Sequence, residues 1–136
     1  MKLQRKLLIA TSFLAVISFN AVADSKTKCS NATLKGTYSW NSQTSLSASA
    51  GMESFDGAGG VVTKETNNGD PSVNRTTGSY TVNEDCTGTY AEGDETDALF
   101  INPNGDSFSW VETDQSTADN ISSGTETRIS KALLVK

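Results

Sequence analysis

The side chains of this sequence that could do chemistry are mainly carboxylates and hydroxyls, because histidine is absent. Histidine is the commonest general base and metal ligand, so its absence excludes Ser-His-Asp sites, Cys-His sites and histidine-bound zinc. The 16 acidic residues leave hydrolysis by two carboxylates open. No acidic pair stands out, because Glu84-Asp85 and Asp94-Glu95 fall at predicted turns. The sequence therefore predicts no catalytic residue and favours a protein that is not an enzyme.

Two acidic segments invite comparison with a calcium site. Asp94, Glu95 and Asp97 lie close together, and Asp56 begins a glycine-rich turn. A calcium loop needs alternating oxygen ligands and a bidentate acid at its end, and neither segment has that pattern. Turn formation explains both segments, so we expect no metal site and no cofactor.

Cys29 and Cys86 are the two cysteines. An even number in an exported chain is typical of a disulfide. The alternative is a redox pair, which usually has neighbouring cysteines as in C-x-x-C. Because these two lie far apart in sequence, we predict a structural disulfide.

Tyr38, Trp40 and Trp110 are the candidate binding residues. Aromatic side chains at the mouth of a barrel can line a ligand cavity. The alternative is that they fill the interior as core residues, which their alternating positions in predicted strands favour.

The N-terminal segment has the three parts of a secretory signal. Residues 1–6 are basic, residues 7–19 are mostly apolar, and Ala21-Val22-Ala23 is a small-x-small cleavage site. We expect a signal peptide at residues 1–23, a mature domain at residues 24–136, and a secreted or periplasmic location. No later apolar run approaches the length of a membrane helix, so we expect no membrane span in the mature chain.

The mature chain is acidic. Residues 24–136 keep eight basic and 16 acidic side chains, a net charge of −8. That charge argues against nucleic acid and anionic membranes as partners, because both require a cationic surface. It would suit a basic protein partner, although acidity also serves solubility alone.

Apolar residues in the mature chain alternate with polar ones, which is the pattern of strands with one solvent-exposed face. Eight short segments of this kind are separated by turn residues such as the stretch 102–106. Sequential hairpins without helical crossovers predict an all-β fold, a single antiparallel up-and-down barrel of about eight strands. A β-sandwich is the alternative.

The alternation also predicts which side chains face the barrel interior. We expect Ala48, Ala50 and Gly36 to face the interior and leave room there. Residues 98–101 should be buried on both faces, and Ile129 should point inward. A Gly-hydroxyl-Tyr pattern recurs at Gly36, Gly78 and Gly88, where a glycine relieves a bend in the wall and the tyrosine shares its face.

Three segments together resemble a group of small exported bacterial proteins. Residues 29–38 match C-x-x-A-x-L-x-G-x-Y, residues 55–59 match F-D-G-x-G, and residues 85–88 read D-C-T-G. The resemblance covers most of residues 29–89. It implies a calycin-like or allene-oxide-cyclase-like β-barrel with the two cysteines paired. It implies no activity, because the group has no established one.

Three functions fit these observations. The first is a non-enzymatic binding protein that holds a small apolar ligand in the barrel or a partner protein on an acidic surface. The second is a periplasmic inhibitor of a basic enzyme such as lysozyme, aided by charge complementarity. The third is a cyclase or isomerase acting on a lipid-like substrate, whose signature would be a buried acid with a raised pKa.

Overall fold

The computed structural model describes residues 28–43, 47–114 and 122–135. Within them, eight antiparallel strands form a closed barrel in which each strand pairs with the next and the last pairs with the first. The strands are β1 (Gly36–Gln43), β2 (Ala48–Phe55), β3 (Gly60–Asn67), β4 (Asp70–Val82), β5 (Thr87–Glu92), β6 (Glu95–Ile101), β7 (Ser107–Glu112) and β8 (Ser123–Ser130). The predicted up-and-down barrel is confirmed, and the sandwich alternative is excluded. The predicted signal peptide lies outside the described residues, among which no helix is long and apolar enough to cross a membrane.

One end of the barrel, here called the closed end, is filled by an aromatic core. The ring of Phe55 lies at its centre, with the rings of Tyr38, Tyr80 and Phe108 edge-on to it at centroid distances of 5.0–5.5 Å. Such edge-to-face contacts add to the hydrophobic gain of burial. A single 3₁₀ turn, Asn31–Leu34, precedes β1 and buries Leu34 against this core.

The Gly-hydroxyl-Tyr pattern shapes the barrel wall as predicted. At Gly36, Gly78 and Gly88, an added Cβ would lie 2.4–2.6 Å from a backbone oxygen of the neighbouring strand. The strands therefore approach too closely there for any side chain. The tyrosine two residues after each glycine is buried inside the barrel.

At the closed end, the segment after β8 is hydrogen-bonded to the outer face of the barrel. The Thr37 hydroxyl donates to the carbonyl of Ala132 at 2.7 Å, and the backbone N–H of Val135 donates to the Ser54 hydroxyl at 2.9 Å. The segment after β8 therefore covers two outward-facing hydroxyls and satisfies them with hydrogen bonds.

The predicted disulfide is confirmed. Cys29 and Cys86 are bonded with their Cα atoms 5.0 Å apart. The bridge links the segment before the 3₁₀ turn to the β4–β5 turn.

Strand β2 is in the opposite phase to the prediction. Ala48 and Ala50 face solvent, whereas the alternate positions Gly51 and Glu53 face inward; Gly36 of β1 is inside as expected. Phe55 anchors the inner face of β2 in the aromatic core, and the two-residue period then fixes every other position of the strand.

Two other expectations are also wrong. Residues 98–101 are buried on one face only, because Phe100 is 60% exposed while Leu99 and Ile101 point inward. Ile129 is 51% exposed, because β8 places Glu126 and Arg128 on its inner face instead. In both cases the sheet keeps a solvent-exposed outer face, as antiparallel barrels do.

Candidate functional site

The half of the barrel opposite the closed end, here called the open half, contains a cavity of about 320 Å³. That volume lies at the lower end of the range typical of small-molecule sites. Leu99 and Phe108 belong to the aromatic core and also line the cavity, so they form its floor. Trp40 and Trp110 supply the remaining apolar walls.

Acidic side chains dominate the rest of the lining. Among the described residues that line the cavity, seven are carboxylates and none is basic: Glu53, Glu65, Glu92, Glu95, Asp97, Glu112 and Glu126. They come from six of the eight strands. Seven of the 16 acidic residues therefore face the barrel interior.

The strand period explains how these acids reach the interior. Glu53 lies two residues from Phe55, and Asp97 lies two residues from Leu99, so each acid shares the face of a core residue. The inner faces of β2 and β6 thus change from apolar at the closed end to acidic at the open half.

Two hydroxyls connect two of the carboxylates. The Thr63 hydroxyl donates to Glu92 Oε2 at 2.9 Å, and the Tyr90 hydroxyl donates to the same oxygen. Glu53 Oε1 lies 3.4 Å from both hydroxyl oxygens. Each hydroxyl has a single proton, so Glu92 takes both and Glu53 is left short of donors.

Burial and mutual repulsion raise the pKa values of the deepest acids. Burial first, then the negative charge of Glu92, raises the pKa of Glu53 to about 8. Burial first, then Glu95, raises the pKa of Asp97 to about 7. Burial first, then Glu53, raises the pKa of Glu126 well above its ordinary value. Glu53 and Asp97 therefore titrate near neutral pH.

Several buried polar atoms of the lining have no hydrogen-bond partner within the described part of the chain. They are Asp97 Oδ1, Glu126 Oε2 and the indole Nε1 atoms of Trp40 and Trp110. Asp97 is 6% exposed and Glu126 is 3% exposed. Unsatisfied buried polar groups are costly, so their concentration in one cavity marks a place where a partner is missing.

The two tryptophans occupy equivalent positions. Trp40 is opposite Gly51 on β2, and Trp110 is opposite Gly124 on β8. A Cβ at either glycine would lie 2.9–3.1 Å from atoms of the facing indole ring. Because these glycines have no side chain, each indole ring can lie against the neighbouring strand of the barrel.

The structure separates the candidate binding residues. Trp40 and Trp110 line the same cavity, whereas Tyr38 is fully buried in the core at the closed end. The Tyr38 hydroxyl donates to the carbonyl of Gly105. Sequence reasoning missed the acidic lining and considered Glu95 and Asp97 as candidate calcium ligands. For every lining acid except Glu126, the available signal is an acid at the same strand phase as a buried apolar residue.

The other motifs of the sequence serve the closed end. Asp56 Oδ1 accepts the backbone N–H groups of Ala58, Gly59 and Gly60 at 2.7–2.9 Å, and these bonds lower the pKa of Asp56. The Tyr80 hydroxyl accepts the N–H of Gly57. These turns build the fold and lie away from the cavity.

The acidic segment 94–97 is divided by the start of β6. Asp94 lies in an exposed turn, whereas Glu95 and Asp97 line the cavity. Among the described residues, no group of three or more acidic, cysteine or histidine side chains is arranged to hold a metal ion.

No protein-family model and no curated protein sequence matches this chain. Among solved structures, it is similar to one described as a de novo design of a fluorescence-activating beta barrel. The two share 14% sequence identity with a TM-score of 0.49, over 69% of this chain and 92% of the designed chain.

Proposed function

We propose that this protein is an exported binding protein that holds a small molecule in the open half of its barrel and catalyses no reaction. One observation carries the proposal: a cavity of about 320 Å³ whose lining contains buried polar atoms that lack partners among the described residues. Buried side chains fill the closed end with an aromatic core, as in small barrels with a purely structural interior. The disulfide supports the exported location.

The lining argues against the wholly apolar ligand that the sequence suggested. Trp40, Leu99, Phe108 and Trp110 give the cavity apolar walls, but acids and hydroxyls form most of its surface. An apolar occupant would displace water from those groups without replacing its hydrogen bonds. The ligand that fits best is partly polar.

A first test is native mass spectrometry of the mature protein purified gently from its producing cell. A bound small molecule would appear as added mass that is lost on denaturation. Ser49 lines the cavity and its neighbour Ala50 faces solvent, so Ser49→Phe fills the cavity while Ala50→Phe adds the same ring outside. We expect the adduct to disappear in the first variant and persist in the second. An adduct that survives Ser49→Phe would place the ligand elsewhere.

A second candidate is an isomerase or cyclase acting on a lipid-like substrate. The observation that favours it is the buried carboxyl of Glu53, whose pKa of about 8 suits proton transfer near neutral pH. Incubation with a fatty-acid epoxide, followed by mass spectrometry of the products, tests it. An enzyme would convert the epoxide and lose this activity in Glu53→Gln, whereas a binding protein would return it unchanged.

The hypothesis of an inhibitor of a basic enzyme rests on the acids near the cavity mouth. Glu95 is exposed there, and Glu65 is half-buried beside it in the lining. These acids could pair with a basic side chain of a partner, and such pairing weakens with salt. Co-migration with lysozyme at low salt that disappears at high salt would support this hypothesis.

A further inference from the structure

The open half concentrates carboxyl groups, and no basic side chain is among the described residues that line its cavity. Its seven carboxylates are spread around six strands instead of converging on one point. Buried ionised acids require opposite charge or protonation. Charge that is distributed around a cavity is best matched by a ligand whose positive charge is also distributed.

The second observation concerns Glu126, which lines this cavity and is only 3% exposed. Its Oε2 atom accepts no hydrogen bond from the described residues, and the same holds for Oδ1 of Asp97. Ionised carboxylate oxygens are acceptors only, so both atoms call for a hydrogen-bond donor. A charged N–H group supplies the donor and the counter-charge together.

The apolar walls of the cavity would contact the uncharged part of such a ligand. Trp40 and Trp110 present aromatic surface to the same cavity as the acids. Indole faces attract ammonium groups and also pack against methylene chains. The volume of about 320 Å³ would hold about ten water molecules at ~30 Å³ each, which corresponds to a molecule of about that many heavy atoms.

We propose that the ligand is a small linear organic cation with two or more protonated amino groups, which donate N–H bonds to Asp97 and Glu126 and pass their methylene chain between Trp40 and Trp110. This inference rests on the proposed binding function and specifies its ligand class. An amine rather than a quaternary ammonium is required, because the unpartnered oxygens need N–H donors.

Isothermal titration calorimetry with three matched probes tests the ligand class. The probes are 1,4-diaminobutane, its fully N-methylated dication, and 1,4-butanediol, which has the same length without charge. We expect the diamine to bind at least about tenfold more tightly than either of the others. Equal binding of the methylated dication would refute the N–H requirement, and equal binding of the diol would refute the charge requirement. Tighter binding of Ca²⁺ than of the diamine would overturn the organic ligand.

A matched pair of variants tests the site. Glu126→Gln keeps the shape of the lining and removes one carboxylate, whereas Asp94→Asn removes one carboxylate from the nearby exposed turn. We expect at least about tenfold weaker diamine binding in the first and less than about twofold change in the second. Asp97→Asn provides an independent second variant if Glu126→Gln does not fold. Equal effects of the lining and turn variants would show attraction by overall charge and refute the site.

The two proposals fail differently. If the diamine does not bind while native mass spectrometry shows another small-molecule adduct that Ser49→Phe removes, the ligand class is wrong and the binding function holds. If neither the diamine nor any adduct binds, both proposals are overturned.

Discussion

The indole ring of Trp110 lies so close to Gly124 on the neighbouring strand that a Cβ at that glycine would be 3.0 Å from Cε2 and Cζ2 of the ring. Trp40 has the same relation to Gly51. The positions of both aromatic walls therefore depend on residues that have no side chain.

Gly124→Ala should displace the Trp110 ring, because the ring atoms provide the closest contacts of the added methyl group. We expect a loss of about 1–3 kcal/mol in the free energy of unfolding, a changed tryptophan emission spectrum and weaker ligand binding. Gly51→Ala should cost more, because its methyl group would also lie 2.5 Å from the backbone oxygen of Lys64. Gly69→Ala, in an exposed turn, is the control. An unchanged emission spectrum in Gly124→Ala would contradict the packing described.

The stability of the ligand-free protein should decrease as the pH rises from about 4.5 to about 8. Glu53 and Asp97 have pKa values of about 8 and about 7 when folded, against ordinary values of 4.5 and 3.8. The folded protein therefore binds more protons than the unfolded chain in that range, so deprotonation favours unfolding. Urea unfolding at a series of pH values measures the slope.

Glu53→Gln should flatten this slope and be more stable than the parent protein at pH 8, by on the order of 2 kcal/mol. Glu84→Gln is the matched control, because Glu84 forms a surface ion pair with Lys28 outside the barrel. A slope that is the same in the parent protein and in Glu53→Gln would show that Glu53 does not titrate in this range.

Diamine binding at pH 7 should release protons. A cation in the cavity favours the ionised form of the acids beside it, and Asp97, with a pKa of about 7, is partly protonated at this pH without the cation. Alkyl ammonium groups stay charged at this pH, so the affinity should increase by about tenfold or more between pH 6 and pH 8. Calorimetry in phosphate and in Tris should give different apparent heats, in proportion to the buffer ionisation enthalpies. Equal heats in the two buffers would mean that no proton is exchanged.

Tyr38→Phe should lower stability and leave ligand binding unchanged. The substitution removes the hydroxyl that donates to the Gly105 carbonyl and leaves a buried acceptor unpaired, at a cost of about 1–3 kcal/mol. Trp110→Phe, at the same time, should weaken binding because Trp110 lines the cavity. Chemical unfolding and diamine titration of both variants separate the two roles, and a binding defect in Tyr38→Phe alone would reverse them.

Replacing both Cys29 and Cys86 by alanine should destabilise the fold without altering the site. The bridge closes a loop with a sequence separation of 57, for which chain entropy predicts a loss of about 4 kcal/mol. Because the bridge lies at the closed end, the diamine should bind the folded variant with parent affinity. Unfolding curves and titration at low temperature measure the two effects, and lost binding in the folded variant would link the two ends.

The sequence was sufficient for the barrel because turns and alternation are local properties. The inward positions of Tyr38 and Trp40 follow from the two-residue period, and the turn at residues 102–106 is visible in its composition. Assigning the inner face of a strand from its apolar residues gives the wrong face where the inner face is polar. In β2, Ala50 looked like the inward residue, yet Phe55 sets the phase and brings Glu53 inside.

The acidic cavity could not be derived from any single strand. Glu53, Glu92 and Glu126 are far apart in sequence and become neighbours only when β8 closes onto β1. From the sequence, acids next to predicted turns are expected to be solvated, because nearby glycine and asparagine indicate a surface turn. Whether such an acid is buried depends on how the closed sheet surrounds it, which no single strand determines.

The division of the inner face of β2 into an apolar and an acidic part has an evolutionary consequence. Phe55 and Glu53 share one strand and one face, but the first packs in the core and the second lines the cavity. Selection can therefore change the chemistry of the cavity one side chain at a time while the residues that secure folding stay untouched. Descendants of such a barrel could acquire different ligands without passing through unfolded ancestors.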